Sequence, residues 1–386
     1  MELRIEKLRH SLAEAGVDAA LITHPRDLLY YAGTARPATL LVGPREATLY
    51  VRRGLELARR EATVARVVDS GSLVAIAAAV AGQGLEQGVL GATFDVLPAR
   101  LYLRLLELFP AWRLQDVSPL VLAQRMVKDA AEVRAVERAA AVADAGHAAL
   151  VEALRPGMTE LALVAEVELA LRCLGYEGLQ PLRHPGGRGG GILLMSGENL
   201  TVRGGHGLVV TGAGLSPASP YGVSRRIVQP GDLVVLDIGV ALDGYTADES
   251  RTYVAGPPTA EQQALFDVAL VAEDAFLAGA RPGVPAADLY RAVQAVVQMG
   301  ALPHFAPGDL VLPGFVGHGI GLELDEPPVI WDREQVQLAE GMVLALEIEV
   351  SAPAVGLMAK VEDSVVIEAE GPRLVTAAPR RLVAVA

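Results

Sequence analysis

Asp237 and Asp248 flank an Asp243-Gly244 step, between a strand pattern at Leu233–Leu242 and a second run that begins at Tyr245. Asp-Gly between two strand patterns is the strongest short hairpin signal, and a two-residue loop sets Asp248 opposite Gly239. Asp237 is then the diagonal neighbour of Asp248 on the same face, with backbones about 7–8 Å apart and carboxylates able to converge at their tips. A second hairpin repeats the device: 343–347 ascends, 353–356 turns and 360–363 returns, which sets Glu347 directly opposite Glu362. Like charges so placed destabilise a sheet unless a cation lies between them. The bland alternative is four acids that face solvent or pair with bases. Val234, Val235, Leu236 and Ile238 argue against it for Asp237, because they mark a buried strand in which an unpaired acid is costly. Arg251 and Lys360 are too few to neutralise four acids, so hard divalent cations are the expected counter-charge.

The fifth candidate is His318, in Gly317-His318-Gly319-Ile320-Gly321-Leu322. A lone loop histidine is usually structural, but flanking glycines let the backbone approach closely and leave the imidazole unshielded. Ser196 and Ser250 are the rival nucleophiles, and neither stands in a strand-to-elbow context with a base partner.

These residues need a scaffold of strands held by helices, and the chain is long enough for two domains: 386 residues exceed what one core usually supports. Residues 1–120 alternate a first helix to about Ala15 with short apolar strands at Ala19–Ile22, 39–42 and Ala47–Val51, the pattern of a small α/β domain. A boundary falls within 118–128, giving domains 1–123 and 124–386. Beyond it lies a weak repeat: Arg155-Pro156-Gly157-Met158 returns as Arg281-Pro282-Gly283-Val284. Each copy sits between two helical patterns, about 130–154 and 159–174, then about 260–280 and 285–299, and the second helix of each pair stops at Gly175 or Gly300. Thr259 with Gln262 forms a capping box, and Pro285 suits a helix first turn. Sheet follows each helix pair, so two similar halves with a ligand site between them are expected.

The residues together resemble a known family. Asp237 and Asp248, Gly317-His318-Gly319, Glu347 behind Gly341-Met342-Val343, and Glu362-Asp363 are similar to the pita-bread metallopeptidases of the Xaa-Pro dipeptidase (prolidase) and aminopeptidase P type. The resemblance covers nearly the whole chain. It implies an α/β (α+β) architecture, a creatinase-like N-terminal α/β domain followed by a C-terminal pita-bread domain of two pseudo-symmetric halves. It implies two divalent metal ions per chain, Mn, Co or Zn. Asp237 and Glu362 would bridge or chelate, Asp248 would chelate one metal, and His318 and Glu347 would bind the other. Two ions about 3.5–4 Å apart lower the pKa of a bridging water and polarise a scissile carbonyl, with Glu347 as the expected general base. The activity implied is hydrolysis of Xaa-Pro peptides by a homodimer.

Three departures touch the substrate shell and leave the metal ligands intact. Family members read Gly-His-Gly-Ile-Gly-Leu-Glu-x-His-Glu, and Asp325 stands here at the second histidine, as in a variant branch. Arg203-Gly204 replaces Pro-His, with His206 as the substitute candidate. Ala345-Leu346-Glu347-Ile348-Glu349 replaces Thr-Ile-Glu-Pro-Gly. Asp325 and His206 are therefore the candidate substrate-binding residues.

Bulk properties narrow the partners. A formal charge of −13 repels nucleic acid and anionic lipid; the resemblance implies a peptide as the partner. The apolar run from Leu73 to Ala81 is far short of the roughly 20 residues that span a bilayer, and the first residues form a charged amphipathic pattern with no signal-like core. Cys173 is the sole cysteine, so a reducing cytoplasm is the expected compartment, and Leu169 and Ala170 on its helical face read as core. The alternative class is a non-peptidase pita-bread protein, a creatinase-like hydrolase or a peptide- or protein-binding module. Such relatives have lost metal ligands, and all five are present here.

Overall fold

The structure, a computed structural model, describes residues 2–82, 87–181, 183, 188–189, 191–205 and 209–385. The chain forms two compact units, one of Met1–Arg125 with Arg183–Gly187 and one of Met126–Leu182 with Arg188–Ala386.

The first unit runs α1 (Glu2–Glu14), β1 (Ala19–Ile22), α2 (Pro25–Ala32), β2 (Ala38–Val42), β3 (Ala47–Val51) and α3 (Leu55–Glu61). It continues with β4 (Arg66–Asp69), α4 (Leu73–Gly82), β5 (Gly88–Ala92), α5 (Ala99–Leu108), β6 (Trp112–Asp116) and α6 (Ser118–Met126), whose last residue belongs to the second unit. The strands make one mixed sheet in the order β4-β3-β2-β1-β5-β6. All four residues of the central strand β1 are buried, which is why its sequence is continuously apolar rather than alternating.

The second unit opens with α7 (Ala130–Ala153) and α8 (Glu160–Cys173), the small strands β7 (Gln180–Pro181) and β8 (Arg188–Gly189), then β9 (Gly191–Ser196), β10 (Leu233–Leu242) and β11 (Tyr245–Ala255). A second round follows: α9 (Ala260–Gly279), α10 (Ala286–Met299), β12 (Phe315–Gly319), β13 (Glu326–Trp331), β14 (Val343–Ala352) and β15 (Leu357–Glu368), closed by β16 (Gly371–Leu374) and β17 (Val383–Val385). Capping boxes start both long helices, Asp129 with Glu132 on α7 and Thr259 with Gln262 on α9. Pro285 is the N-cap of α10. Gly175 and Gly300, at φ 99° and 68°, take the left-handed backbone that ends α8 and α10.

The main sheet runs β13-β12-β14-β15-β11-β10-β9, so the hairpins β10–β11 and β14–β15 meet at its centre. Helix α7 packs on β10 and β11, and α9 packs on β14 and β15. Each helix pair has its own core, Val136, Leu150, Leu163 and Leu171 in one half, Phe266, Phe276, Val293 and Val297 in the other. The four-residue echo at 155–158 and 281–284 thus marks two similar halves. One expectation fails: Cys173 is exposed and Leu169 is 62% exposed. The buried face of α8 is Glu160, Leu163, Val167 and Leu171, a stripe at i, i+3, i+7 and i+11 that turns Cys173 outward.

At the seam between the hairpins only Ser250 and Glu362 pair as ladder residues. Hydroxyls satisfy the neighbouring backbone: Thr252 Oγ1 accepts from Lys360 N at 2.9 Å and donates to Lys360 O at 2.7 Å. Ser364 Oγ does the same for Asp248, at 3.0 Å from its N and 2.9 Å from its O.

A candidate metal centre on two hairpins

The site begins with two turns. Asp243 and Gly244 both have positive φ, 52° and 80°, the signature of a type I′ hairpin loop, and the register that follows sets Asp248 against Gly239 and Asp237 against Ser250. In the second hairpin Glu347 is directly opposite Glu362. Both registers are those the sequence predicts, and because side chains alternate with period two, all four carboxylates share one face. His318 arrives on β12, paired with Ala345 of β14 and Val329 of β13. Its glycines are there for the close approach of strands: a Cβ on Gly317 would lie 2.4 Å from the Ala345 carbonyl, and one on Gly319 would lie 2.2 Å from that of Pro327.

The five side chains form two triads. Donor atoms of Asp248, His318 and Glu362 lie within 4.8 Å of one another, as do those of Asp237, Glu347 and Glu362, so Glu362 belongs to both. This grouping sets His318 with Asp248, whereas the resemblance implies His318 with Glu347. Lys360 Nζ lies 2.6 Å from Asp237, 2.5 Å from Glu347 and 3.1 Å from Glu362, so it touches every member of the second triad. Lys360 is thus a fuller counter-charge than its sequence position suggests. Arg251 touches no candidate ligand side chain; it holds Glu249 at 2.9 Å and Asp363 at 2.6 Å and donates to the Ser250 and Glu362 carbonyls.

One ammonium against four acids leaves an excess of negative charge. Burial pushes the Asp237, Asp248 and Glu362 carboxyls above their usual range, and for Asp248 the neighbouring Glu362 and Asp237 push further. Burial opposes charge on Lys360, but Asp237, Glu347 and Glu362 outweigh it and raise its pKa well above 10.5. Asp248 Oδ1 is buried and has no hydrogen-bond partner among the described residues. That orphaned oxygen, the raised carboxyl pKa values and a donor set of oxygens with one imidazole all fit divalent cations of the Mn, Co or Zn kind.

The surroundings orient the donors. Ser250 Oγ donates to Glu362 Oε2 at 2.6 Å. His318 Nδ1 lies 3.1 Å from the Gly319 carbonyl, an acceptor, so Nδ1 carries a proton and Nε2 is the ring nitrogen left to face a metal. Asp325, half-exposed between β12 and β13, approaches that Nε2 to 3.2 Å. Burial disfavours the imidazolium, but Asp325, Glu347 and Glu362 raise the His318 pKa above its ordinary value. His206 lies outside the described residues. Ser196 is buried, with its hydroxyl 2.8 Å from Glu160 and accepting from Arg226 at 2.9 Å, and the Ser250 hydroxyl serves Glu362; each is committed to a carboxylate.

Sequence reasoning passed over Glu349 and the full reach of Lys360. Glu349 is opposite Lys360 in the β14/β15 ladder, on the face that carries Glu347 and Glu362. Its Oε2 accepts from Val210 N at 2.9 Å, and burial, its chief influence, raises its pKa to about 7. The signal was available: continuing the Glu347/Glu362 register by two residues brings this pair to the same face.

A model of metallopeptidase family M24 matches residues 134–369, and one of the creatinase/prolidase N-terminal domain matches residues 4–127. The chain is 26% identical to the Xaa-Pro dipeptidase of Pyrococcus furiosus over 99% of this chain and 100% of that one. It is 30% identical to the probable dipeptidase PepE of Mycobacterium bovis over 97% of this chain and 93% of that one. The solved Xaa-Pro dipeptidase from Bacillus anthracis matches with a TM-score of 0.84 at 25% identity, over 99% of each chain. With both central hairpins and His318 inside the matched span, the chain belongs to metallopeptidase family M24, a pita-bread domain behind a creatinase/prolidase N-terminal domain.

Proposed function

We propose that this metallopeptidase hydrolyses Xaa-Pro peptide bonds, as a prolidase or aminopeptidase P type enzyme, with two divalent metal ions held by Asp237, Asp248, His318, Glu347 and Glu362. The observation that carries the reading is the pair of triads sharing Glu362, with an unpartnered Asp248 oxygen in one of them. Similarity to Xaa-Pro dipeptidases along the full chain supports the substrate class. When bound, the two ions would supply a bridging water of lowered pKa and a Lewis acid for the scissile carbonyl.

The chain's own residues do the rest. Glu347 is the general base, taking the proton of the attacking water. Glu362, fixed by the Ser250 hydroxyl, keeps the two triads in register. The carboxylate of Asp325, beside His318 and half-exposed, is placed to meet a polar end of the peptide, with His206 as the second substrate contact. The net charge of −13 and the single cysteine favour a cytoplasmic enzyme acting on peptides, and among the described residues no helix is long and apolar enough to cross a membrane. We read the working form as a homodimer, on family resemblance.

One observation favours a second reading. Lys360 sets an ammonium against each carboxylate of the Asp237, Glu347 and Glu362 triad and offsets part of its charge, which suits a peptide- or protein-binding module. Incubating the Mn-loaded chain with Xaa-Pro dipeptides and with longer Xaa-Pro peptides separates the two. Cleavage of dipeptides alone marks a prolidase, and release of Xaa from longer peptides marks the aminopeptidase P type. Metal-loaded chain that cleaves neither overturns the peptidase reading and leaves the binding module.

A further inference from the structure

Glu160 opens α8, where an acid ordinarily faces solvent and complements the helix N-terminus. This one is 0% exposed, and all five hydrogen bonds that its side chain makes among the described residues go to the segment 196–224 instead. Oε1 accepts from Ser196 N and Ser196 Oγ, both at 2.8 Å. Oε2 accepts from Asn199 Nδ2 at 2.9 Å, Ser224 N at 2.9 Å and Ser224 Oγ at 2.6 Å. A buried carboxylate satisfied in this way holds its donors firmly, because each one lost leaves charge in the interior short of a partner.

The segment so held joins two neighbouring strands. Strand β9 ends at Ser196, and its antiparallel partner β10 starts only at Leu233, although a short turn would connect them. An excursion this long in a compact unit usually serves function. Glu160 draws residues from both ends of 196–224 to one carboxylate and closes the base of the loop. Its described parts pack on one another: Gly212 N donates to Val202 O at 2.9 Å, Gly214 N to Gly222 O at 3.2 Å, and Ala213 N to Asn199 Oδ1 at 2.8 Å. Gly204 permits this, since a Cβ there would lie 2.3 Å from the Gly212 carbonyl. Further along, the loop meets the ligands' side of the sheet, where Val210 N donates to Glu349 Oε2 at 2.9 Å; Glu349 is two residues beyond Glu347 on the same face of β14.

We propose that Glu160 is a positioning residue for the substrate: by fixing the base of the 196–224 loop it sets the wall that the loop builds beside Glu347, and so governs how tightly an Xaa-Pro peptide is held, without touching a candidate metal ligand. The inference rests on the peptidase reading above. Glutamine is the informative substitution. Its amide keeps one acceptor oxygen, while its NH2 group faces the backbone N–H of Ser196 or of Ser224, which cannot turn round to accept as a hydroxyl can.

Hydrolysis of the Xaa-Pro peptide that wild type cleaves, Mn content by mass spectrometry and amide hydrogen exchange, all on the Mn-reconstituted full chain, test this in Glu160→Gln and in the milder Ser224→Ala. In Glu160→Gln, KM is expected to rise about tenfold, the equivalent of one charge-assisted hydrogen bond, with kcat and Mn content as in wild type. Exchange in 209–213 speeds up while 163–171 of α8 keeps its protection. Ser224→Ala moves KM and exchange in the same direction by less, and is the variant to read should Glu160→Gln fail to fold. A KM unchanged in both variants overturns the proposal. So does a joint loss of kcat, Mn content and α8 protection, which makes Glu160 a residue of the fold alone. A wild type that cleaves no Xaa-Pro peptide sinks the peptidase reading and this proposal with it, and is told apart because it fails before any substitution.

Discussion

Glu362 concentrates the site at the scale of single residues: both triads use it, Ser250 fixes one of its oxygens, and Glu347 faces it across the hairpin. With Glu347 as the proposed general base, Glu347→Gln is expected to lower kcat about 10²–10⁴-fold while the chain still unfolds cooperatively, as peptide hydrolysis and thermal melting would show together. His147, away from this centre, gives a pH dependence. Burial, with Arg251 adding to it, lowers its pKa from 6.5 to about 3. The unfolded chain therefore takes the proton as pH falls through 6.5, and the folded chain does not until about 3. Stability from the neutral imidazole is complete above pH 6.5 and is lost from there down to about 3, by roughly 1.4 kcal/mol per pH unit. The stability gap between wild type and His147→Asn, measured by denaturant unfolding, narrows from pH 7 to pH 5; a constant gap contradicts the assignment. The types and spacing of the five candidate ligands were legible in the sequence. Lys360 was read only as one nearby base among too few, although continuing the Glu347/Glu362 register by two residues puts it on the acids' side of the sheet.

Hairpins are the elements that turn spacing into geometry. The Asp243-Gly244 turn and the 353–356 turn set both registers, and with them which acids meet. Strand β12 adds His318 only because glycine on either side lets it lie close to β14 and β13. Gly319→Ala puts a Cβ 2.2 Å from a backbone carbonyl, so it is expected to cost about 1–3 kcal/mol in stability and to weaken Mn binding in the same variant, read by melting and by calorimetry. Normal melting with normal Mn affinity contradicts this account of the glycines. The hairpins could be read from sequence because Asp-Gly has few uses outside a tight turn. The exposed side of α8 could not: apolar residues fall all round that helix, and Leu169 with Cys173 looks as good a core stripe as Leu163 with Val167 until the sheet is in place.

Within the second unit, two similar halves meet along a seam that the charged network of Arg251, Glu249 and Asp363 holds from the face opposite the candidate ligands. Arg251 is 1% exposed and binds the carbonyls of Ser250 and Glu362. Arg251→Met takes the guanidinium from buried Glu249 and leaves Asp363 only Arg380, at 3.3 Å, and a loss of about 3 kcal/mol in unfolding free energy is expected. The repeat at 155–158 and 281–284 made the two halves visible in advance, whereas the network was hidden because its members face each other across strands far apart in sequence. The measurement that tests the central claim most directly is metal content by mass spectrometry after reconstitution with Mn, on wild type and Asp248→Ala, beside hydrolysis of an Xaa-Pro dipeptide. The account predicts about two ions per wild-type chain and hydrolysis of the dipeptide, with loss of metal and of activity in the variant. A wild type that stays free of metal and inactive after reconstitution contradicts it.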